Sequence, residues 1–507
     1  MELENNIIFT IKNNQSVNLK DIPVSQYTDF CIEVLRLLSN YDNHCVNYFA
    51  FPVAKCLQFI ACIADDAAGN IIVLSHKLKK TDCQELDSLT AHHYPLHIFE
   101  REISENFGIN FIGHPWLKPV RFPSNRANKS IHINDYPFYS IESEELHEVG
   151  VGPVHAGIIE PGHFRFTCNG ETVLHLEIQL GWQHRGIENL MLQKKKLLQR
   201  TILAENIAGD SVIGHTYAFV QVIESLNGIV IQEQLKIERS IALELERIAI
   251  HTADISALCT DVAYNLGANV IGVLRTGIIN FIQEWCGNRL GKSLIRTGGT
   301  HFPFTNELKG KLLVLLNDFE KRFIEISHRT FKLPSLENRF DDIGIVTEKQ
   351  ARSIGSVGMA ARMTNIKRDI RETHSFGGFE KYPYKSIILQ KGDVFARFLL
   401  RRKEIKQSIQ WIRNVLENEN FNQSIPQPVI QANLKPDTFT ISLTEGWRGE
   451  ICHCAVTDSN GELILYKIKD PSMHNWKSLE LSLRNLEISD FPINNKSYNL
   501  SYCGHDL

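Results

Sequence analysis

The chain has 507 residues, 43% hydrophobic and 22% charged, which allows roughly two to four domains with large buried cores. Its formal net charge of −4 gives no broad electrostatic case for a nucleic-acid partner. No uninterrupted apolar run reads as long enough to cross a bilayer, and the acidic start MELENNIIFT has no signal-peptide core. The eleven cysteines include no C-x-x-C pair, and those in apolar surroundings, such as Cys259 and Cys286, read as reduced buried thiols of a cytosolic compartment. No internal repeat or low-complexity block is visible.

The first 122 residues read as a small α/β unit. VSQYTDFCIEVLRLLSN has the spacing of an amphipathic helix, and IIVLSHKL, after the turn signal AAGN, reads as a strand. Phe99-Glu100-Arg101-Glu102 predicts a charged helix end, followed by turns at Gly108 and Gly113-His114-Pro115. This stretch resembles the E-R-E…F-G-I-x-F-x-G-H-P signature of the 30 kDa subunit of respiratory complex I, with Ser104, Glu105 and Asn106 where the signature's acidic residue is expected. Residues 123–148 are polar and aperiodic and read as a linker.

A second unit, 149–507, opens with GPVHAGIIEPGHFRF, read as strand, tight turn, strand, and then the strand ETVLHLEIQLGW. Glu160 and His163, three residues apart on the turn, are candidates for proton transfer. The loop resembles the I-E-G-H loop of nickel-iron hydrogenases, with Pro161 inserted. The resemblance implies proton passage at Glu160 and contact with a quinone headgroup at His163.

From His184 to Glu224 the periodicity predicts a helix, a short break near Ala208-Gly209, and a second helix. Glu188 would lie one turn after His184, on the same helix face. His184-Arg185-Gly186-Ile187-Glu188 resembles the H-R-G-x-E stretch shared by hydrogenase large subunits and the 49 kDa subunit of complex I. It implies that His184, Arg185 and Glu188 are cofactor-binding positions, with Arg185 near the iron-sulfur cluster of a neighbouring subunit and Glu188 at a position that helps hold magnesium in the hydrogenases. A fixed cation there raises a cluster's potential.

In the hydrogenases the break carries C-G-x-C and pairs with a near-C-terminal D-P-C-x-x-C. Here the positions read Ala208-Gly209-Asp210-Ser211 and Asp470-Pro471-Ser472-Met473-His474-Asn475. Nickel and iron are held by soft thiolates, and Ala208, Ser211, Ser472 and Asn475 supply none, so no metal is expected. Asp210, polar and inside the break, joins Glu160 and His163 as a catalytic candidate. The same argument predicts a wetted polar pocket, with Glu160 facing Ala208–Ser211 and the 472–475 turn. The family's quinone-contacting tyrosine falls on Ile202 or Leu203, which cannot hydrogen-bond a carbonyl.

Residues 231–286 read as two long helices punctuated by Glu238, Glu246, His251 and Asp254. Arg296 and Gly298-Gly299 resemble the R-x-G-G segment of the 49 kDa family. No phosphate-loop pattern is present. The series Gly344, Ala351, Gly355, Gly358 and Arg362, the Asp369–Arg371 pair, Gly392-Asp393 with Ala396 and Arg397, and Glu445-Gly446-Trp447-Arg448-Gly449-Glu450 continue the resemblance, with Trp447 in place of a proline. GDVFARFLLRRKEIKQSIQWIRNVLE reads as an amphipathic helix, and ISLTEGWRGEICHCAVTD with GELILYKIKDPS as strands joined by a turn at Ser459-Asn460-Gly461.

The motifs follow one another in order along nearly the whole chain. They resemble a fused 30 kDa-like and 49 kDa-like subunit of the formate hydrogenlyase (group 4 hydrogenase) and complex I family, without its nickel cysteines. The fold expected is α+β: the small α/β domain, then a mainly α-helical, hydrogenase-large-subunit-like domain with a small β-lobe. The implied function is that of an NADH:quinone oxidoreductase-like subunit of a membrane-associated, ion-translocating redox complex. It would take electrons from a [4Fe-4S] cluster in an iron-sulfur small subunit and bind no cofactor itself, with a quinone or another molecule as acceptor. Antiporter-like membrane subunits would be its other partners, and the cytoplasmic face of the inner (plasma) membrane its place. The alternative is a non-catalytic connector between the peripheral and membrane arms.

Overall fold

The computed structural model describes residues 7–79, 84–157 and 159–507. Strands β1 (Phe9–Ile11), β2 (Ser16–Asn18), β3 (Val24–Ser25), β4 (Asn43–Val53), β5 (Cys56–Asp65) and β6 (Asn70–Lys79) open the chain. The long strands β4, β5 and β6 pair antiparallel in that order, and β1 and β3 share the outer edge of β6. They are apolar on both faces because both faces are buried. Phe30, Val34, Leu37 and Leu38 of helix α1 (Tyr27–Leu38) cover one face with Tyr48, Phe59 and Ile63. Helix α2 (His97–Phe107) packs on the same side, and Gly108 ends it at φ +75°. Short strands β7 (Glu85–Asp87) and β8 (Asn110–Ile112) pair in parallel beside it.

The opposite face, with Val46, Phe49, Ile60, Cys62 and Val73, belongs to the main core of the molecule. The two parts of the chain are therefore joined by buried apolar surface, and β2 pairs with β12 (Thr438–Glu445) of the distal sheet. That sheet continues with β13 (Glu450–Thr457) and β14 (Leu463–Lys469) in the order β14-β13-β12-β2. Residues 123–148 run largely without regular structure over β10 (His163–Asn169) and β11 (Thr172–Gln179), which with β9 (His147–Val151) form a three-stranded sheet. The Tyr139 N–H donates to Glu177 and the Gln179 amide to the Ile133 carbonyl, which fix this stretch.

The stretch after His184 is not one helix before the break. Helix α3 (Ile187–Gln193) ends at Lys194-Lys195-Lys196, where three adjacent cations crowd, and α4 (Leu197–Ala204) starts anew. His184 lies outside α3, so it shares no helix face with Glu188. Helix α5 (Val212–Asn227) follows the break as expected. Helices α6 (Glu233–Asp261) and α7 (Asn265–Cys286) are the two long ones, and α8 (Asn306–Thr330) packs on α7. Contrary to the expectation from the sequence, α7 is long and apolar enough to cross a membrane by length and composition alone. It packs against α6 and α8 while Leu266 and Val273 face outward.

Helices α9 (Pro334–Phe340), α10 (Glu348–Ile354), α11 (Gly358–Arg362), α12 (Ile370–Thr373) and α13 (Gly378–Lys381) are short. Helix α14 (Val394–Asn418) starts at Asp393, whose carboxylate accepts the Ala396 N–H at 2.7 Å. The chain closes with α15 (Ser472–Ser482), α16 (Phe491–Tyr498) and α17 (Tyr502–Asp506). Of the groups that punctuate α6, His251 meets Glu404 at 2.9 Å and Asp254 pairs with Arg401 at 2.8 Å, whereas Glu238 accepts from Gln234 and Glu246 from the N–H groups of Ile213 and Gly214.

Candidate functional site

The break between α4 and α5, the Trp447-Arg448 loop, the start of α15 and the C-terminal segment converge. Ala208 is fully buried. Arg448 lies across the break. Its two Nη atoms each donate to one oxygen of Asp210 at 2.6 Å, and Nη1 also reaches Ser211 Oγ at 3.3 Å. Its Nε donates to the Asn499 carbonyl at 2.5 Å, and its guanidinium stacks over Trp447 at 3.9 Å. Asn475 bonds both backbone groups of Val357 at 3.1 Å, and Ser472 Oγ accepts the Ser501 N–H at 2.9 Å.

The Ser472–Asn475 side of the pocket expected from the missing thiolates is buried, while the Asp210 side chain is 37% exposed. Protein groups fill those positions, and the side-chain polar atoms of Asp210, Ser211, Ser472 and Asn475 are all satisfied. Nickel or iron does not fit here: the donors are hard, one position is an alanine, and the rest are spent on other partners.

Glu160 lies by the C-terminal segment. Its carboxylate faces the Cys503 N–H at 3.5 Å, and among the described residues no hydrogen bond joins it to Ser211 or Ser472. The segment that bonds Ser472 through Ser501 and approaches Glu160 through Cys503 stands between them. His163 Nδ1 lies 3.0 Å from the Gly152 carbonyl, and Nε2 is buried without a partner. Burial pushes this imidazole below its ordinary pKa, partly offset by Gly152. At neutral pH it is uncharged: Nδ1 donates to Gly152, and Nε2 is left as an acceptor.

The C-terminal segment also holds the cofactor-binding candidates. His184 Nδ1 bonds the Asp506 carbonyl at 2.8 Å. Arg185, though exposed, is fixed by the carbonyls of Asn206, Ile207 and Cys503 at 2.6, 2.8 and 3.1 Å. Glu188 turns to β14, where it accepts the Ile468 N–H at 2.8 Å and pairs with Lys467 at 3.1 Å.

Several residues of this region carry no sequence signal that assigns them a role. Arg448 stands inside the E-G-W-R-G-E motif, which does not say what it holds. His215 and His453 bond each other at 3.1 Å. His215 continues to Asp470 at 2.9 Å, and His453 to the Tyr466 hydroxyl at 2.8 Å, which gives a buried Tyr-His-His-Asp chain. Nothing in the sequence brings positions 215, 453 and 466 together, because the contacts cross three elements. Tyr502 borders an apolar cavity of about 490 Å³ with Val151, His155, Ile159, Phe164 and Phe491, and its hydroxyl has no hydrogen-bond partner. Burial pushes that phenol up to about 12, with Asn495 opposing the shift and Glu160 adding to it, so it keeps its proton as a donor.

Comparison with known proteins supplies the family. Residues 24–130 match the model of the respiratory-chain NADH dehydrogenase 30 Kd subunit, and residues 268–435 that of the 49 Kd subunit. The chain belongs to the family of fused 30 kDa- and 49 kDa-type subunits. Within this family it is 25% identical to hydrogenase-4 component G of Escherichia coli over 446 residues, 84% of this chain and 77% of that one. Formate hydrogenlyase subunit 5 of E. coli is 25% identical over 78% of this chain and 72% of its own length. The fused C/D component of the NADH-quinone oxidoreductase of Phocaeicola vulgatus is 24% identical over 83% and 86%. The relatives thus include components of both hydrogenases and quinone reductases. What separates this chain from a nickel-binding pattern is local: four positions without thiolates, of which Arg448 reaches Ser211.

Proposed function

We propose that this chain is a redox-coupling subunit of a membrane-associated, ion-translocating complex. It takes up the hydrogenase-large-subunit-like arrangement, sits beside the [4Fe-4S] cluster of an iron-sulfur partner and delivers electrons to a quinone or similar acceptor. It works from the cytoplasmic face, against antiporter-like membrane subunits, and has no hydrogenase activity. The observation that carries the reading is the donor set at the nickel-ligand positions: Ala208 has no ligand atom, and Ser211, Ser472 and Asn475 bond Arg448, Ser501 and Val357.

The quinone part rests on the cavity beside Tyr502. It is apolar, as a ring and tail require, and Tyr502 forms part of its wall. Glu160 lies beside the same segment, with its carboxylate 3.5 Å from the N–H of Cys503, the residue after Tyr502. Arg185, an exposed cation anchored by three carbonyls, would stand toward the partner's cluster.

The second reading is a non-catalytic connector. It is favoured by the way the C-terminal segment closes over Ser472, Glu160 and Arg185 together.

The test is the assembled complex purified from its source. Quinone reduction with neither hydrogen uptake nor stoichiometric nickel supports redox coupling. Hydrogen uptake or bound nickel overturns it. Assembly with no electron transfer to any quinone leaves the connector.

A further inference from the structure

A cavity of about 860 Å³ opens where the N-terminal sheet meets α10. It shares no lining residue with the Tyr502 cavity, and of the segment 472–475 it touches only His474. Its walls come from the turn after α1 with Tyr41, the turn with His93 and Tyr94, helix α10 with Lys349 and Arg352, and Arg368.

The charges around it do not cancel. On the floor, Glu450 holds Lys469 at 2.5 Å and His44 at 2.6 Å, and Asp66 lies 3.3 Å from the other nitrogen of His44. Glu450 matches Lys469, and Asp66 faces His44. Arg368 shares Asp66 with His44 and has no carboxylate to itself. It reaches only Asp66 and the Ser356 carbonyl, both at 3.4 Å, the weak end of hydrogen bonding. A guanidinium has five donors, so most of them are unused although the residue is only 7% exposed. On the wall, Arg352 is matched by Glu348 at 2.9 Å and lies over the Tyr41 ring at 5.1 Å. Lys349 next to it has no partner among the described residues. The imidazole of His93 is pushed down to about 4 by burial and by Arg368, which fits an unbalanced positive potential.

We propose that this cavity binds a small organic phosphate. The dianionic head would sit against Arg368, with Arg352 and Lys349 closing on it, and the planar remainder against Tyr41 and Tyr94. Arg368, with one shared carboxylate, and Lys349, with none, call for added negative charge, and a phosphate supplies it with three acceptor oxygens. The volume lies within the range of small-molecule sites. Side chains do the recognition, so the absence of a phosphate-loop motif does not bear on it. The proposal stands independently of the redox reading.

The experiment is calorimetric titration of the full chain, in whatever assembly it purifies with, using ADP as probe and adenosine and citrate as controls. Saturable binding of ADP, none of adenosine and weaker binding of citrate are expected. Lys349→Gln and Arg352→Gln should each weaken ADP roughly tenfold, and Arg368→Gln should abolish it. Arg368 also holds Asp66, so the two α10 variants, at more exposed positions, keep the test free of folding effects. Absence of ADP binding, ADP binding indifferent to both α10 variants, or citrate binding tighter than ADP would each overturn the proposal.

Discussion

Arg448 and Asp210 meet through two parallel hydrogen bonds of 2.6 Å, one to each carboxylate oxygen. The guanidinium side is 4% exposed and the carboxylate side 37%. Removing the carboxylate leaves a buried cation with fewer acceptors. Asp210→Ala should therefore cost about 2 kcal/mol, below the roughly 3–5 of breaking a fully buried pair, because water reaches Asp210. Asp210→Asn should lose less. Urea unfolding measures both, and a loss below about 0.5 kcal/mol for Asp210→Ala would show that the pair is not structural.

His44 makes stability fall on the alkaline side. Burial and Arg368 push its pKa down, but Asp66 and Glu450 more than reverse this, and the result lies above the ordinary imidazole value. A raised imidazole contributes fully below about pH 6.5 and is lost as pH rises through the folded pKa. Glu450 is held low by Lys469 and His44 against its burial, and Asp66 by His44 and Arg368. Their contribution is present above about pH 4 and is lost in acid. The advantage of the wild type over His44→Gln should be greatest between about pH 5 and 6.5 and shrink above. An advantage that stays constant up to pH 9 would contradict this.

The sequence carries the periodic elements well and the convergence of the site poorly. Helices α1, α6, α7 and α14 announce themselves through apolar spacing, and Gly108 stops α2 where a left-handed residue is required. The gap between α3 and α4 is hidden because apolar periodicity carries across Lys194-Lys195-Lys196 while the backbone does not. Motifs point to His163, Glu160 and Arg185. The actual neighbours of these residues, Gly152, Cys503 and Ile207, depend on where the C-terminal segment packs. That placement is set by burial of Tyr498, Leu500 and Tyr502, a tertiary effect with no local signature.

Gly358 should tolerate no side chain. At φ +58°, its added Cβ would run into the Gly449 backbone and the Arg448 carbonyl. These are backbone atoms of the loop that presents Arg448, and they cannot swing aside. Gly358→Ala should destabilise by at least about 2 kcal/mol and shift Arg448 from Asp210. Thermal unfolding with a crystal structure of the variant checks both. Unchanged melting would mean that the loop relaxes freely.

Arg185 gives a prediction that a purely structural role would not share. If it faces the partner's cluster, Arg185→Gln removes a positive charge and the cluster's midpoint potential falls. At a separation near 8 Å and an effective dielectric of about 20, the change is roughly 2 kcal/mol, or on the order of 90 mV. Arg185→Lys should recover much of it. An EPR redox titration of the assembled complex reads the potential directly. Identical potentials in wild type and Arg185→Gln would detach Arg185 from the cluster.

Glu160 and Tyr502 decide between the coupling and connector readings. Tyr502 keeps its proton at neutral pH and stands in the wall of an apolar cavity, with the Asn495 amide as the neighbour of its hydroxyl. A quinone carbonyl there would take a hydrogen bond from that hydroxyl, and reduction would draw on the same proton. Glu160 is the carboxylate that acts on this phenol, so Glu160→Gln should slow replacement of the proton without emptying the cavity. Tyr502→Phe removes the donor and keeps the ring, which packs on Trp476 at 4.7 Å. In the assembled complex, Tyr502→Phe should therefore raise KM for quinone and lower kcat. Glu160→Gln should lower kcat with little change in KM. Loss of one proton donor of this kind typically costs about 10²–10⁴-fold in rate. Quinone reduction measured with a soluble analogue, with ion transport followed in parallel, distinguishes the readings. If both variants assemble and both rates equal the wild type, neither residue carries the chemistry, and the closed C-terminal segment is what it is in the connector reading: a structural clamp between Ser472, Glu160 and Arg185.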